Sequence, residues 1–251
     1  MSSYDLTGRT ALVTGASRGI GAAICTALAR AGADVIGIST SLPPDGGAVG
    51  AAVRKTGRRF DGLTCDLGDR AALRAMLDDL GDRPVDILVN NAGIIRRTPA
   101  ADHSDADWDA VMAVNLDAPF LLTRELGRGM VQRGHGKVIF MASVLSFQGG
   151  ITVPGYAATK GAVAQLAKAF ANEWAARGVN VNAVAPGYVA TDNTAALQAD
   201  AERTAQLMAR VPAGRWGTPE EIAEPVVFLA SDAARFVHGT VLAVDGGWLG
   251  R

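Results

Sequence analysis

The chain has 251 residues, 49% of them hydrophobic and 20% charged, with a formal net charge of −1. That balance excludes the basic excess by which proteins hold nucleic acid, and no apolar run approaches the roughly 18 residues that cross a membrane. Cys25 and Cys65 are isolated and His103, His135 and His238 lie far apart, which argues against a metal centre and for two buried thiols. The opening Met1-Ser2-Ser3-Tyr4-Asp5 lacks the charged and apolar regions of an export signal, so the expected location is the cytoplasm.

Apolar, β-rich runs alternate with helical stretches along the chain. Thr10 to Thr14 reads as a first strand, Ile20 to Ala31 as a helix and Asp34 to Ile38 as a second strand. Leu42-Pro43-Pro44-Asp45-Gly46-Gly47 is the loosest stretch and reads as a loop. Arg59 to Thr64 is a weaker strand, Arg70 to Leu80 a helix, and Asp86 to Asn90 a strong strand. A long helix is predicted from Asp105 to Leu126, then a strand from Lys137 to Met141. A helix from Tyr156 to Ala176, a strand from Val179 to Val184, a helix from Pro219 to Ala230 and a strand from Thr240 to Val244 complete the series. Doubly buried strands alternating with helices imply an α/β fold: one domain over 1–251, a doubly wound parallel sheet with helices on both faces.

Between the first strand and first helix lies Thr14-Gly15-Ala16-Ser17-Arg18-Gly19-Ile20-Gly21. Glycines at such a turn let backbone approach a phosphate, and the helix N-terminus offers free N–H groups to a pyrophosphate. Asp66 and Asn90-Asn91-Ala92-Gly93 follow strands three and four, where such a sheet presents its ligand-binding edge. Asp66 could accept from an adenine amine; Asn91 could equally be a bridge between strands. Further on, Tyr156 and Lys160 stand four residues apart, on one face of a helix. A free phenol with a pKa of about 10 is a poor base, and a nearby cation makes it usable.

Together Thr14-Gly15-x-x-x-Gly19-x-Gly21, Asn90-Asn91-Ala92-Gly93, Asn115, Ser143, Tyr156-x-x-x-Lys160 and Pro186-Gly187 resemble the short-chain dehydrogenase/reductase family over nearly the whole chain. The resemblance implies a Rossmann-type sheet of seven parallel strands, NAD or NADP as cofactor, and hydride transfer at an alcohol or carbonyl carbon. By it, Tyr156 is the proton donor and acceptor, Lys160 lowers the phenol and holds the cofactor ribose, Ser143 binds the substrate oxygen, and Asn115 holds a proton-relay water. It also assigns Gly15, Ser17, Arg18, Gly19, Ile20, Gly21, Ser39, Asp66, Leu67, Asn91, Ala92, Gly93, Pro186, Gly187, Val189 and Thr191 to the cofactor, alongside Tyr156 and Lys160. A homotetramer is implied, with the last strand and Trp248 near an interface, and 187–216 as a lid over the substrate.

The segments 143–150, 91–97, 185–194, 212–217 and 244–249 are similar to the branch of that family acting on small sugar acids of the 2-deoxygluconate, 2-keto-3-deoxygluconate and gluconate type. Arg96 or Arg97 could neutralise a substrate carboxylate, while Gln148 and Asn193 could bind hydroxyls. Strand two ends in Gly37-Ile38-Ser39-Thr40-Ser41 without a carboxylate, and Arg18 could pair with a 2′-phosphate, which favours NADP; the sugar-acid branch favours NAD. A 3-oxoacyl thioester reductase and a cofactor-binding sensor are the alternatives.

Overall fold

A computed structural model describes residues 3–251. Seven strands run along the chain: β1 Thr10–Thr14, β2 Asp34–Ser39, β3 Phe60–Thr64, β4 Ile87–Asn90, β5 Gly136–Met141, β6 Val179–Pro186 and β7 Val241–Val244. The helices are α1 Gly19–Arg30, α2 Gly47–Arg54, α3 Arg70–Leu80, α4 Asp105–Met112, α5 Ala118–Arg133, α6 Pro154–Trp174, α7 Ala195–Ala199, α8 Ala201–Met208 and α9 Pro219–Ala230. The strands form one sheet in the order β3-β2-β1-β4-β5-β6-β7, with every pairing parallel. This is the doubly wound architecture expected from the alternating strands and helices.

Successive strand residues point to opposite faces, so each strand feeds two cores. On β1, Ala11 and Val13 pack on one side, with Ile24 and Leu28 of α1 and Ile222 and Val226 of α9. Leu12 packs on the other, with Leu73 of α3, Leu122 of α5 and Val163 of α6. Burial on both faces explains why the strands read as nearly unbroken apolar runs. At the far edge, buried Asn182 donates to Val237 O at 2.9 Å and accepts from Thr240 N at 3.0 Å, fixing the entry into β7.

Two elements differ from the sequence expectation. Residues 42–47 are a loop, but the chain then forms α2, which the sequence pattern does not announce. Its small residues Gly47, Ala48, Gly50, Ala51 and Ala52 give a poor periodic signal, and the helix starts only because Gly46 turns the backbone left-handed (φ 74°). The long helix starts at Asp105 as expected but contains a π-helical stretch, Ala113–Asp117, between α4 and α5, and runs on to Arg133. Gly134, at φ 73°, ends it. The extra backbone residue of the π turn sits around Asn115, at the edge of the cleft described below.

Candidate active site

The chain leaves β1 on one side of the sheet and returns to β4 beside it, so a crevice opens at the C-terminal ends of these two strands. Thr14 and Asn91 hold its floor together. The Thr14 hydroxyl accepts from Asn91 N at 3.0 Å and Ala92 N at 2.9 Å, and Asn91 Nδ2 donates to Thr14 O at 2.9 Å and Gly15 O at 3.3 Å. Asn91 is therefore the bridge between strands, and it also lines the cleft. Gly15 has φ +66°, and a Cβ on Gly21 would stand 2.0 Å from Gly15 O and 2.7 Å from Asn91 Nδ2. No side chain caps the first turn of α1, which leaves its N–H groups facing the cleft. This bare-backbone cradle with a positive dipole end fits the pyrophosphate of a nicotinamide dinucleotide.

The cavity over this edge holds about 800 Å³. Every residue that the sequence resemblance assigns to the cofactor lines it, from Gly15, Ser17, Arg18, Gly19, Ile20 and Gly21 through Ser39, Asp66 and Leu67 to Asn91, Ala92, Gly93, Pro186, Gly187, Val189 and Thr191. Asp66 accepts from Gly68 N at 2.9 Å, which shapes the loop after β3. Arg18 reaches across to Asp192 at 3.4 Å, and both side chains remain largely exposed.

Tyr156 and Lys160 stand in the first turns of α6, with Ser143 at the end of β5 beside them. Burial raises the Tyr156 phenol; a hydrogen bond from Ser143 and the charge of Arg97 pull it back. The pull expected of Lys160 comes here from those two groups. Lys160 Nζ lies 5.4 Å from the Tyr156 ring centre and donates to Met141 O at 2.6 Å. Burial alone pushes the ammonium down to about 8. Ser146 ties the parts together: its hydroxyl donates to Lys160 O at 2.6 Å and accepts from Ser143 N at 3.2 Å.

Asn115 is buried and does not itself line the cavity. Its side chain clasps Ile94, accepting from the backbone N at 2.8 Å and donating to the O at 2.9 Å, and contacts Thr159 Oγ1 at 3.4 Å. A Cβ built on Gly93 would find Asn115 Oδ1 at 3.5 Å and Lys160 Nζ at 3.8 Å, so the amide and the ammonium flank the same glycine.

Gln148 and Asn193 line the cavity, and so does Arg97. Arg96 does not: it turns outward to an ion pair with Asp107 at 3.1 Å. Two neighbours in sequence thus point to different partners, a distinction no spacing argument makes. Arg215 is held by Glu221 at the start of α9 and is a structural residue. Sequence reasoning missed the contribution of α8 and the chain end. Arg203, Gln206, Leu207 and Arg210 follow a helical spacing of three, four and seven that a periodicity search of 200–210 would find, and all four line the cavity. Trp248 is buried and lines the cavity as well.

A dinucleotide cradle merging with a tyrosine, a serine and a buried lysine defines a nicotinamide-dependent oxidoreductase. The sequence comparisons agree, and the chain belongs to the short-chain dehydrogenase/reductase family. A family model described as enoyl-(acyl carrier protein) reductase matches residues 15–249. The chain is 56% identical, over the full length of both, to a 2-dehydro-3-deoxy-D-gluconate 5-dehydrogenase of Pseudoalteromonas atlantica. A crystal structure from Beutenbergia cavernae with NADP bound at low occupancy is 52% identical, with a TM-score of 0.95 and full coverage of both chains. A gluconate 5-dehydrogenase of Burkholderia cenocepacia, solved with NADP and tartrate, is 41% identical, with a TM-score of 0.93 and coverage of 99% and 98%.

The lysine shift makes a prediction about pH. The folded protein releases the Lys160 proton near pH 8, while the unfolded chain holds it to about 10.5, so this group lets stability rise across that window. Lys160→Met removes the effect. Its melting temperature relative to the wild type is expected to fall as pH rises from about 7 to about 9.5, while turnover drops by about 100-fold or more. Thermal unfolding at both pH values, with steady-state rates, checks both halves.

Proposed function

We propose that the protein interconverts an alcohol and a ketone on a small sugar acid of the 2-dehydro-3-deoxygluconate or gluconate type, using NADP. One observation carries this reading: the reacting phenol lies in a cavity that also presents Arg97, Arg203 and Arg210, a cationic lining suited to a carboxylate. The names of the relatives support it. An acyl thioester reductase, the alternative closer to the family model's description, has no use for that lining in its acyl pocket.

When bound, the nicotinamide would supply a hydride as NADPH or accept one as NADP⁺; the chain handles orientation and protons. Ser143 Oγ hydrogen-bonds the substrate oxygen and orients Tyr156. In reduction, the Tyr156 hydroxyl gives its proton to the developing alkoxide; in oxidation, the phenolate takes it. Lys160 stands one helical turn away and would hold the cofactor ribose, and Asn115 fixes the Ile94 backbone. Arg97 holds the carboxylate and favours the phenolate. Gln148 and Asn193 are placed to bind hydroxyls, and segment 187–216, with its short helices α7 and α8, forms the lid.

Arg18 is the residue that meets a 2′-phosphate in this reading, since Ser39 and Thr40 at the end of β2 bring no carboxylate. The same proposal includes cytoplasmic residence, supported by two buried free thiols, and a homotetramer. Trp108 and Phe120 remain 39% exposed, near an outer face of α6 that carries Ala158, Gly161 and Ala162, and this favours close helix packing between subunits.

Arg97→Gln is expected to raise KM for the sugar acid by about tenfold or more, as loss of a charged hydrogen bond does, and to move the Tyr156 limb of the pH–rate profile upward. Arg96→Gln should change KM by less than about twofold. Equal effects of the two changes would reject the assignment. Arg18→Gln should weaken NADP by about tenfold and leave NAD nearly unaffected in fluorescence titrations. In light scattering the protein should elute with a mass near four subunits, and a monomer would remove the interface.

A further inference from the structure

The segment that leaves β6 crosses back over the crevice. In the sheet β6 is separated from β1 by β4 and β5, yet Thr191, shortly after β6, sits on the glycine turn that follows β1. A Cβ built on Gly19 would meet Thr191 Cγ2 at 3.6 Å. Asp192, the next residue, opens a short turn to Thr194 and brings its carboxylate to Arg18 Nη1 at 3.4 Å. Both side chains line the cavity, and neither has another ion pair among the described residues. Thr191 N donates to Thr194 Oγ1 at 3.0 Å, and Thr194 Oγ1 donates to Val189 O at 2.7 Å. These bonds hold the turn, so the backbone fixes where the carboxylate stands.

The same guanidinium is the group proposed above to meet a 2′-phosphate. A carboxylate at the end of β2 would bind the ribose hydroxyls and repel that phosphate. Here β2 ends in Ser39, followed by Thr40, and both line the cavity without a charge. Asp192 supplies a carboxylate from the other side of the crevice instead. Its contact with Arg18 is exposed, and such a pair changes an equilibrium by a factor of about five at most. A phosphate monoester carries about two negative charges and three strong acceptor oxygens. It wins the guanidinium, but it must first undo the contact with Asp192.

We propose that Asp192 is a positioning residue for cofactor choice. It holds Arg18 before the cofactor binds and competes with the 2′-phosphate for it, which narrows the preference for NADP over NAD. The assignment rests on Arg18 meeting the 2′-phosphate. It makes cofactor preference the outcome of two opposed groups on facing segments, with the carboxylate acting through an arginine and not from β2.

The test is a double-mutant cycle of Arg18→Gln and Asp192→Asn, read as the Kd values of NADPH and NADH in fluorescence titrations at one ionic strength. Asp192→Asn is expected to tighten NADPH by about two- to fivefold and to shift NADH by less than about twofold, so the ratio between them grows. In the Arg18→Gln background the same change should leave the ratio where Arg18→Gln sets it. Asp192→Glu keeps the charge and should stay within about twofold of the wild-type ratio. A merely structural Asp192 would move both cofactors together, and that result overturns the proposal. So does an equal change of ratio with and without Arg18. If Arg18→Gln lowers the ratio by about tenfold while Asp192→Asn leaves it unchanged, the positioning role is wrong and the role of Arg18 stands. If Arg18→Gln leaves the ratio unchanged, Arg18 does not meet the 2′-phosphate and both assignments fall.

Discussion

The junction between β1 and β4 is the constraint on which the site depends. There the sheet parts, and two loops must diverge without exposing their backbone groups to an apolar core. The Thr14 hydroxyl and the Asn91 amide meet that demand with short bonds to both strand ends. Their grip brings the glycine turn against the Asn91–Gly93 loop so closely that Gly21 has no room for a Cβ. The cradle is thus a packing consequence of the sheet, and any phosphate that enters meets backbone donors already in place.

The chemistry next to the cradle follows from burial. A phenol and an ammonium are both held in a low-dielectric wall, which raises one and lowers the other. Both shifts oppose ionisation, so each group is costly to keep charged and responsive to small local changes. Ser143 and Arg97 act on the phenol; the Met141 carbonyl holds the ammonium. The π-helical stretch at Asn115 serves the same wall, because a regular helix would place that amide at another angle to Ile94. Local irregularity in a helix is tolerated where it aims a buried amide at backbone that would otherwise lack a partner.

The rest of the cavity wall is built from loops and chain ends. The cationic lining comes from the loop after β4, from α8 and from the turn that follows it, and the aromatic wall from the residues after β6 and β7. These segments are short, half exposed and far apart in the chain. Only the sheet's order brings them together around the strand ends, which is why a single fold of this kind accommodates many substrates by changing its loops.

The strands, most helices, the glycine turn and the Tyr156–Lys160 pair were legible in the chain because each depends on local periodicity or on spacing within one turn. Helix α2 was not, since its small residues carry little pattern, and the π turn was not, since a one-residue insertion leaves the apolar spacing nearly unchanged. Local sequence therefore determined the fold class, the glycine turn and the one-turn spacing of Tyr156 and Lys160. Tertiary structure alone decided that Arg97 enters the cavity while Arg96 meets Asp107, and that Arg210 stacks on Trp248 thirty-eight positions away. Such choices turn on the direction of a side chain and on contacts between distant segments, and neither is encoded by the identity of neighbouring residues.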